Sequence, residues 1–206
     1  MTEPPVRTGA ETVRVPFPHD SAGLTEWLAA LLRNRDYGTL AELRRARGGT
    51  NAHIRAGWYG GDEHRDLFER VAFLFAVYHQ GRSVPSYGGG SLGAAARRIG
   101  DGAGRGPDNP GARRLLARVV ASRRIPWRHL QHAIVRLRSC EQPPPSWTDL
   151  TEDLIKWDDR RERVSYRWSV EFHMPASMAR GAMHASAPRP GADAQTERNA
   201  RKDSTS

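Results

Sequence analysis

Arginine carries most of the chemistry open to this chain. All but Lys156 and Lys202 of its 32 basic residues are arginine. A guanidinium fork meets phosphate oxygens two at a time and stacks on flat bases, neither of which an ammonium can do. Between residues 110 and 140, PGARRLLARVVASRRIPWRHLQHAIVRLRSC, stand Arg113, Arg114, Arg118, Arg123, Arg124, Arg128, Arg136 and Arg138. No acidic residue interrupts that run before Glu141. Arg44, Arg45 and Arg47 form a second group, and Arg97 with Arg98 a third. Such groups bind a polyanion without covalent chemistry, nucleic acid first and an acidic protein second. Two plainer explanations stand beside this one. The arginines can be the solvated side of a small helical bundle, and genome base composition alone can replace lysine by arginine. The sign of the charge favours the first reading, because solvated helix faces mix charges and this one does not.

Other chemistries find less support. His129 and His132 are three apart on one side of a helix, but His132 sits inside the arginine stripe, where a metal cation is repelled. The carboxylates Asp149, Glu152, Asp153, Asp158, Asp159 and Glu162 precede Arg160, Arg161, Arg163 and Arg167, so mutual ion pairing accounts for them. The serines lack a nucleophile-elbow context. Gly88-Gly89-Gly90 runs into a helix start, but the Gly-Lys-Ser/Thr of a phosphate-binding loop is absent. No helix-turn-helix spacing for base-specific reading is apparent. The expectation is a protein with no catalytic residues, no cofactor and no metal.

These side chains need helices to hold them. In 110–140 the spacing predicts two short helices meeting at Pro126, which suits a first turn. Leu115, Leu116, Val119 and Val120 make one apolar face, with Arg114 and Arg118 opposite. Trp127, Leu130, Ile134 and Leu137 make the other, with Arg128, His132 and Arg136 on the far side. Upstream, Ser21 is expected to cap a helix over 22–34, and Thr39 with Glu42 to form a capping box for a second helix reaching Arg47 and stopped at Gly48-Gly49. Residues 50–61 read as loop, 62–79 as a buried central helix, and Ser91 as the cap of a short helix to Ile99. After Pro143-Pro144-Pro145, Ser146 and Asp149 open a helix to about Asp158, and a last one spans 160–174 before Pro175. No alternating strand pattern is visible. The fold expected is all-α: two small helical lobes, 21–99 and 110–175, split by a glycine-rich hinge at 100–109, with a disordered arm at 1–20 and a disordered tail at 176–206.

The whole chain has 206 residues, a net charge of +9 and a pI near 10.7. Cys140 is its only cysteine, which excludes an internal disulfide and any cysteine-rich zinc site. With no apolar run of membrane length and no apolar signal core, the expectation is a soluble, cytoplasmic protein.

The segments, taken in order, are Ala41–Arg45 (AELRR), Leu67–His79 with Leu-Phe-Ala at 74–76, and Ser91-Leu92-Gly93 followed by Arg97-Arg98. Arg113-Arg114-Leu115-Leu116, Leu130–Leu137, Trp147–Trp157 and Trp168 with Phe172 complete the set. In that order they resemble the CasB family, the small subunit of the type I-E CRISPR surveillance complex Cascade. The resemblance covers roughly 22–174, and the glycine-rich 100–111 segment departs from it. It implies an all-helical, two-lobed protein without enzymatic activity. It also implies partners: the backbone repeat subunit, the large subunit, a second copy of the chain, and a guide RNA–target DNA complex whose displaced DNA strand the basic surface holds. The family's basic positions correspond to Arg44, Arg45, Arg97, Arg98, Arg113 and Arg114. Arg123, Arg124, Arg136 and Arg138 are added from the helix reading. The rival readings are a helical adaptor whose arginines meet an acidic protein, and a degenerate enzyme using the acidic cluster.

Overall fold

The computed structural model describes residues 18–45, 49–101 and 104–174. Most helices start where a short polar side chain accepts from a backbone N–H that would otherwise lack a partner. Asp20 does this for α1 (Ser21–Arg33), accepting from Gly23 N–H at 2.7 Å. Ser21, the expected cap, is instead the first helical residue, and its hydroxyl donates to Glu152. Asp36 caps α2 (Tyr37–Leu43) through Thr39 N–H at 3.0 Å. The expected Thr39–Glu42 box is not formed, because the Thr39 hydroxyl donates to the Asp36 carboxylate. That capping holds the Asp36 carboxyl below its usual range, the Thr39 backbone N–H being the main cause. The helix ends at Leu43, short of Arg47, and the expected stop at Gly48 lies outside the described residues.

The stretch expected as loop contains α3 (Asn51–Trp58), capped by Thr50. Its inner face is Ala52, His53, Ala56 and Gly57. Three small residues and a histidine leave no period of large apolar side chains to read. α4 (Arg65–Tyr78) begins three residues later than expected, so of Asp62, Glu63 and Asp66 only Asp66 is in its first turn. Ser91 caps α5 (Leu92–Ala96), which stops short of Ile99.

The fold is all-α as expected, with one small sheet among the described residues. β1 (Gly100–Asp101) and β2 (Gly104–Arg105) pair antiparallel, with Gly100 opposite Arg105 and Asp101 opposite Gly104. A single 3₁₀ turn at Gly106–Asp108 leads to Asn109, which caps α6 (Pro110–Val120) through Ala112 N–H at 3.0 Å. α7 (Trp127–Ser139) follows Pro126, which stands just ahead of the helix rather than in its first turn. Ser146 caps α8 (Trp147–Ile155), and α9 (Val164–His173) starts four residues after the expected 160.

α4 lies at the centre, packed by α1, α2, α3, α7 and α8. Phe68, Val71, Leu74, Phe75 and Tyr78 are all buried along it. α9 packs on α5 and α6, and α6 on α7. The helices before and after the glycine-rich segment contribute to one buried apolar cluster, with Trp147 and Trp168 its largest fully buried side chains. Gly93 of α5 lets that helix touch α9, since a Cβ there would run into the Trp168 carbonyl. Of the stretch expected as an arm, 18–20 are described. Asp20 N–H donates to Tyr59 O at 2.7 Å, and His19 Nε2 lies 3.3 Å from Glu152. The rest of the arm and the tail from 175 lie outside the described residues.

A polar clamp fastens the long loop after α4. Buried His79 donates from Nδ1 to Phe75 O (2.9 Å) and accepts at Nε2 from Ser86 N–H (2.9 Å). Ser86 O in turn accepts from the indole N–H of Trp147 at 2.9 Å. Tyr78 donates its hydroxyl to Gln142 O at 2.8 Å. Among the described residues no helix is long and apolar enough to cross a membrane.

Candidate nucleic-acid interface

α6 and α7 form a helical hairpin whose inner faces are Ala112, Leu116 and Val119 on one side and Leu130, Ala133, Ile134 and Leu137 on the other. Both helices are strongly two-faced, so burying the apolar side leaves the guanidiniums outside. Arg113, Arg114 and Arg118 are exposed on α6, Arg123 and Arg124 on the turn, and Arg128 and Arg136 on α7. Among the described residues no carboxylate lies within 4.0 Å of these guanidiniums; the ion pairs there join Glu26 to Arg33, Asp62 to Arg65, Asp153 to Arg167 and Glu152 to His19. The Arg136 guanidinium lies over the first turn of α6, where a Cβ built at Gly111 would sit 3.6 Å from its Nη2. A helix start carries partial positive charge. A cation placed there leaves that corner doubly attractive to an anion.

Other expected positions have different surroundings. Arg98 is half-buried and donates to the carbonyls of Ala94 (3.3 Å), Pro143 (3.1 Å) and Pro144 (3.3 Å). Burial, then Arg97 beside it, makes its charged form less favourable than usual. Arg138 donates to Tyr78 O at 2.7 Å and Val77 O at 3.4 Å. Both side chains tie backbone to backbone. Arg97 is half-buried next to Arg98. Arg44 follows the last turn of α2, half-buried, whereas Arg45 is exposed.

Arg45 lines a cleft of about 480 Å³ between α3, α4 and the start of α7. Its other walls are His53, Asp66, Glu69, Arg70, Phe73, Leu74, Trp127, Arg128 and Gln131. The Arg70 guanidinium lies 5.2 Å over the Trp127 ring. Nothing in the sequence spacing joins Arg45, Arg70 and Arg128; only the packing of α4 against α7 does. Arg123 borders a separate cleft that also holds Asp158, Asp159, Arg160 and Arg163.

Of the ion pairing expected between the C-terminal carboxylates and Arg160, Arg161, Arg163 and Arg167, one pair forms among the described residues, Asp153 with Arg167. Asp153, buried, accepts from Arg167 and from the Trp168 indole N–H at 2.6 Å. The His129 and His132 rings meet edge to face at 6.3 Å, and among the described residues no group of three His, Cys, Asp or Glu is placed to hold a metal ion.

No curated protein sequence matches this chain. The crystal structure of CasB from Thermobifida fusca resembles it in fold, with a TM-score of 0.55 at 18% identity, over 74% of this chain and 94% of that one. The family model for CRISPR-associated protein Cse2 matches residues 39–173, from within α2 to the end of α9. That span takes in the whole arginine hairpin, and every segment from Ala41–Arg45 to Phe172 falls within it: the chain belongs to the CasB/Cse2 family of CRISPR-associated proteins.

Proposed function

We propose that this chain is the non-catalytic small subunit of a cytoplasmic CRISPR RNA-guided surveillance complex, and that it holds the displaced, non-target DNA strand of the R-loop by its phosphates. Family membership implies the Cascade setting. The observation that supports the strand-holding role is the α6–α7 hairpin, which exposes guanidiniums from Arg113 to Arg136 with no carboxylate within 4.0 Å of them among the described residues. Phosphate contacts of this kind position a strand without reading its sequence. In an R-loop the guide–target duplex roughly replaces the DNA duplex it opens, so the exchange is nearly balanced. A subunit that only grips the displaced strand then decides whether the open state lasts. Arg113, Arg114, Arg123, Arg124 and Arg136 carry this role, with Arg45 contributing from the neighbouring cleft. Arg98 and Arg138 brace the fold beneath them.

The partners are the backbone repeat subunit, the large subunit and a second copy of the chain. Trp58, 66% exposed, and Ile54, 40% exposed, with Pro18 and Tyr59, line an apolar recess on α3 that fits a protein neighbour better than a phosphate.

The test is affinity of the reconstituted complex for double-stranded and already single-stranded targets. Replacing Arg113 and Arg114 by alanine should leave assembly intact and weaken double-stranded binding about tenfold or more, since two phosphate contacts are lost. Single-stranded binding should barely change, because no displaced strand exists to hold. Equal losses on both targets, or failed assembly, would place these arginines on the guide or on a protein neighbour instead.

A further inference from the structure

The cleft between α3, α4 and α7 has walls that a phosphate-only grip does not need. Phe73 and Trp127 present ring surface, and both are only half-buried. The guanidinium of Arg70, an exposed side chain, lies 5.2 Å over the Trp127 ring, so that face already holds a cation, and a base reaches it by displacing Arg70 toward solvent. Arg45 and Arg128, both exposed, stand among the lining groups. Arg128 also opens the arginine stripe of α7, so the cleft continues the hairpin's basic face. Asp66 and Glu69 repel a phosphate but accept from amino and imino groups, which base edges offer. The volume of about 480 Å³ falls in the range of small-ligand pockets. Aromatic wall, a displaceable cation over it, acceptors within and arginines beside them together describe a receptor for one unpaired nucleobase with its phosphate held alongside.

We infer that this cleft takes up a single unpaired base of the bound strand, stacked on Trp127, with the adjoining phosphate on Arg45 and Arg128. The inference rests on the strand-holding reading and extends it. Phosphate contacts alone do not distinguish a paired from an unpaired strand, whereas a stacked base must be unpaired. Stacking on an aromatic ring tolerates any base, since every base has a π-face. The cleft therefore selects open DNA without selecting a sequence.

The full-length chain, titrated with three oligonucleotides of one length, tests this. The three are an unpaired strand, the same strand with its bases removed, and a duplex. The unpaired strand should bind about tenfold tighter than the abasic one. Trp127→Leu, checked for folding by circular dichroism, should erase that difference and leave duplex affinity unchanged. Equal binding of intact and abasic strands overturns the inference without any variant. An equal loss on duplex and single strand from Trp127→Leu overturns it as well and makes Trp127 a structural residue. If all three oligonucleotides bind with steep salt dependence but without these differences, the phosphate grip stands and the base receptor falls. If none binds, both fall.

Discussion

Arg138 and Arg136 lie two residues apart on α7, and their surroundings divide the work. Arg138 closes the carbonyl end of α4 by donating to Val77 O and Tyr78 O, where a cation also complements the helix dipole. Arg136 is exposed at the start of α6. Arg138→Ala should lower folding stability by about 1–3 kcal/mol in urea denaturation, the range for losing a charged hydrogen bond to buried carbonyls. Arg136→Ala should leave stability within about 0.5 kcal/mol, as for surface positions generally, and weaken nucleic-acid binding. The reverse pattern would exchange their roles. Their sequence positions do not separate them, because the partners of Arg138 come from a helix about 60 residues earlier. His79 offers a pH signature. Burial first, then the charges of Arg82 and Arg138, lower its pKa from 6.5 to about 4. As pH falls through 6.5 the unfolded chain takes up a proton that the folded chain refuses until about 4, so stability is lost across that window. Wild type should be about 2 kcal/mol less stable at pH 5 than at pH 8, relative to a His79→Gln variant. Parallel curves for the two proteins would rule out this origin.

At the scale of elements, α5 and α9 meet through Gly93 with no room to spare. Gly93→Ala should destabilise the fold by about 1–3 kcal/mol as an overpacked contact. Gly89→Ala, where an added Cβ meets nothing within 4 Å, is the control and should cost far less. Similar thermal midpoints for the two variants would mean that α5 shifts freely. The long apolar helices were legible because their large side chains recur at helical period: α1 by Leu24, Leu28, Leu31 and Leu32, and α4 by Phe68, Val71 and Phe75. α3 was not, because its inner face is Ala52, His53, Ala56 and Gly57, with no large apolar side chain among them. Caps slipped by one to three residues where Asp20 and Asp36 outcompeted the neighbouring Ser21 and Thr39. The basic face of the hairpin followed from spacing alone. The cleft did not, since Arg45, Arg70 and Trp127 meet only through tertiary packing.

For the whole molecule, a net charge of +9 built almost entirely from arginine makes association with nucleic acid a counterion-release process. Affinity for any DNA should fall steeply between low and physiological salt, and each exposed hairpin arginine replaced by alanine should reduce the log–log slope by about one. A slope that is flat in the wild type would instead support an acidic protein as the partner of this face. Ser21 reaches Glu152 across 131 residues, and Thr25 meets Thr148 across 123. α1 and α4 both rest on α8. During synthesis α1 to α4 can pack on one another first, but the faces of α1 and α4 that rest on α8 stay bare until α8 has emerged. Contacts of such long range slow folding. Full protease resistance should therefore come late, with the docking of α8, as limited proteolysis of stalled nascent chains ending before and after α8 would show.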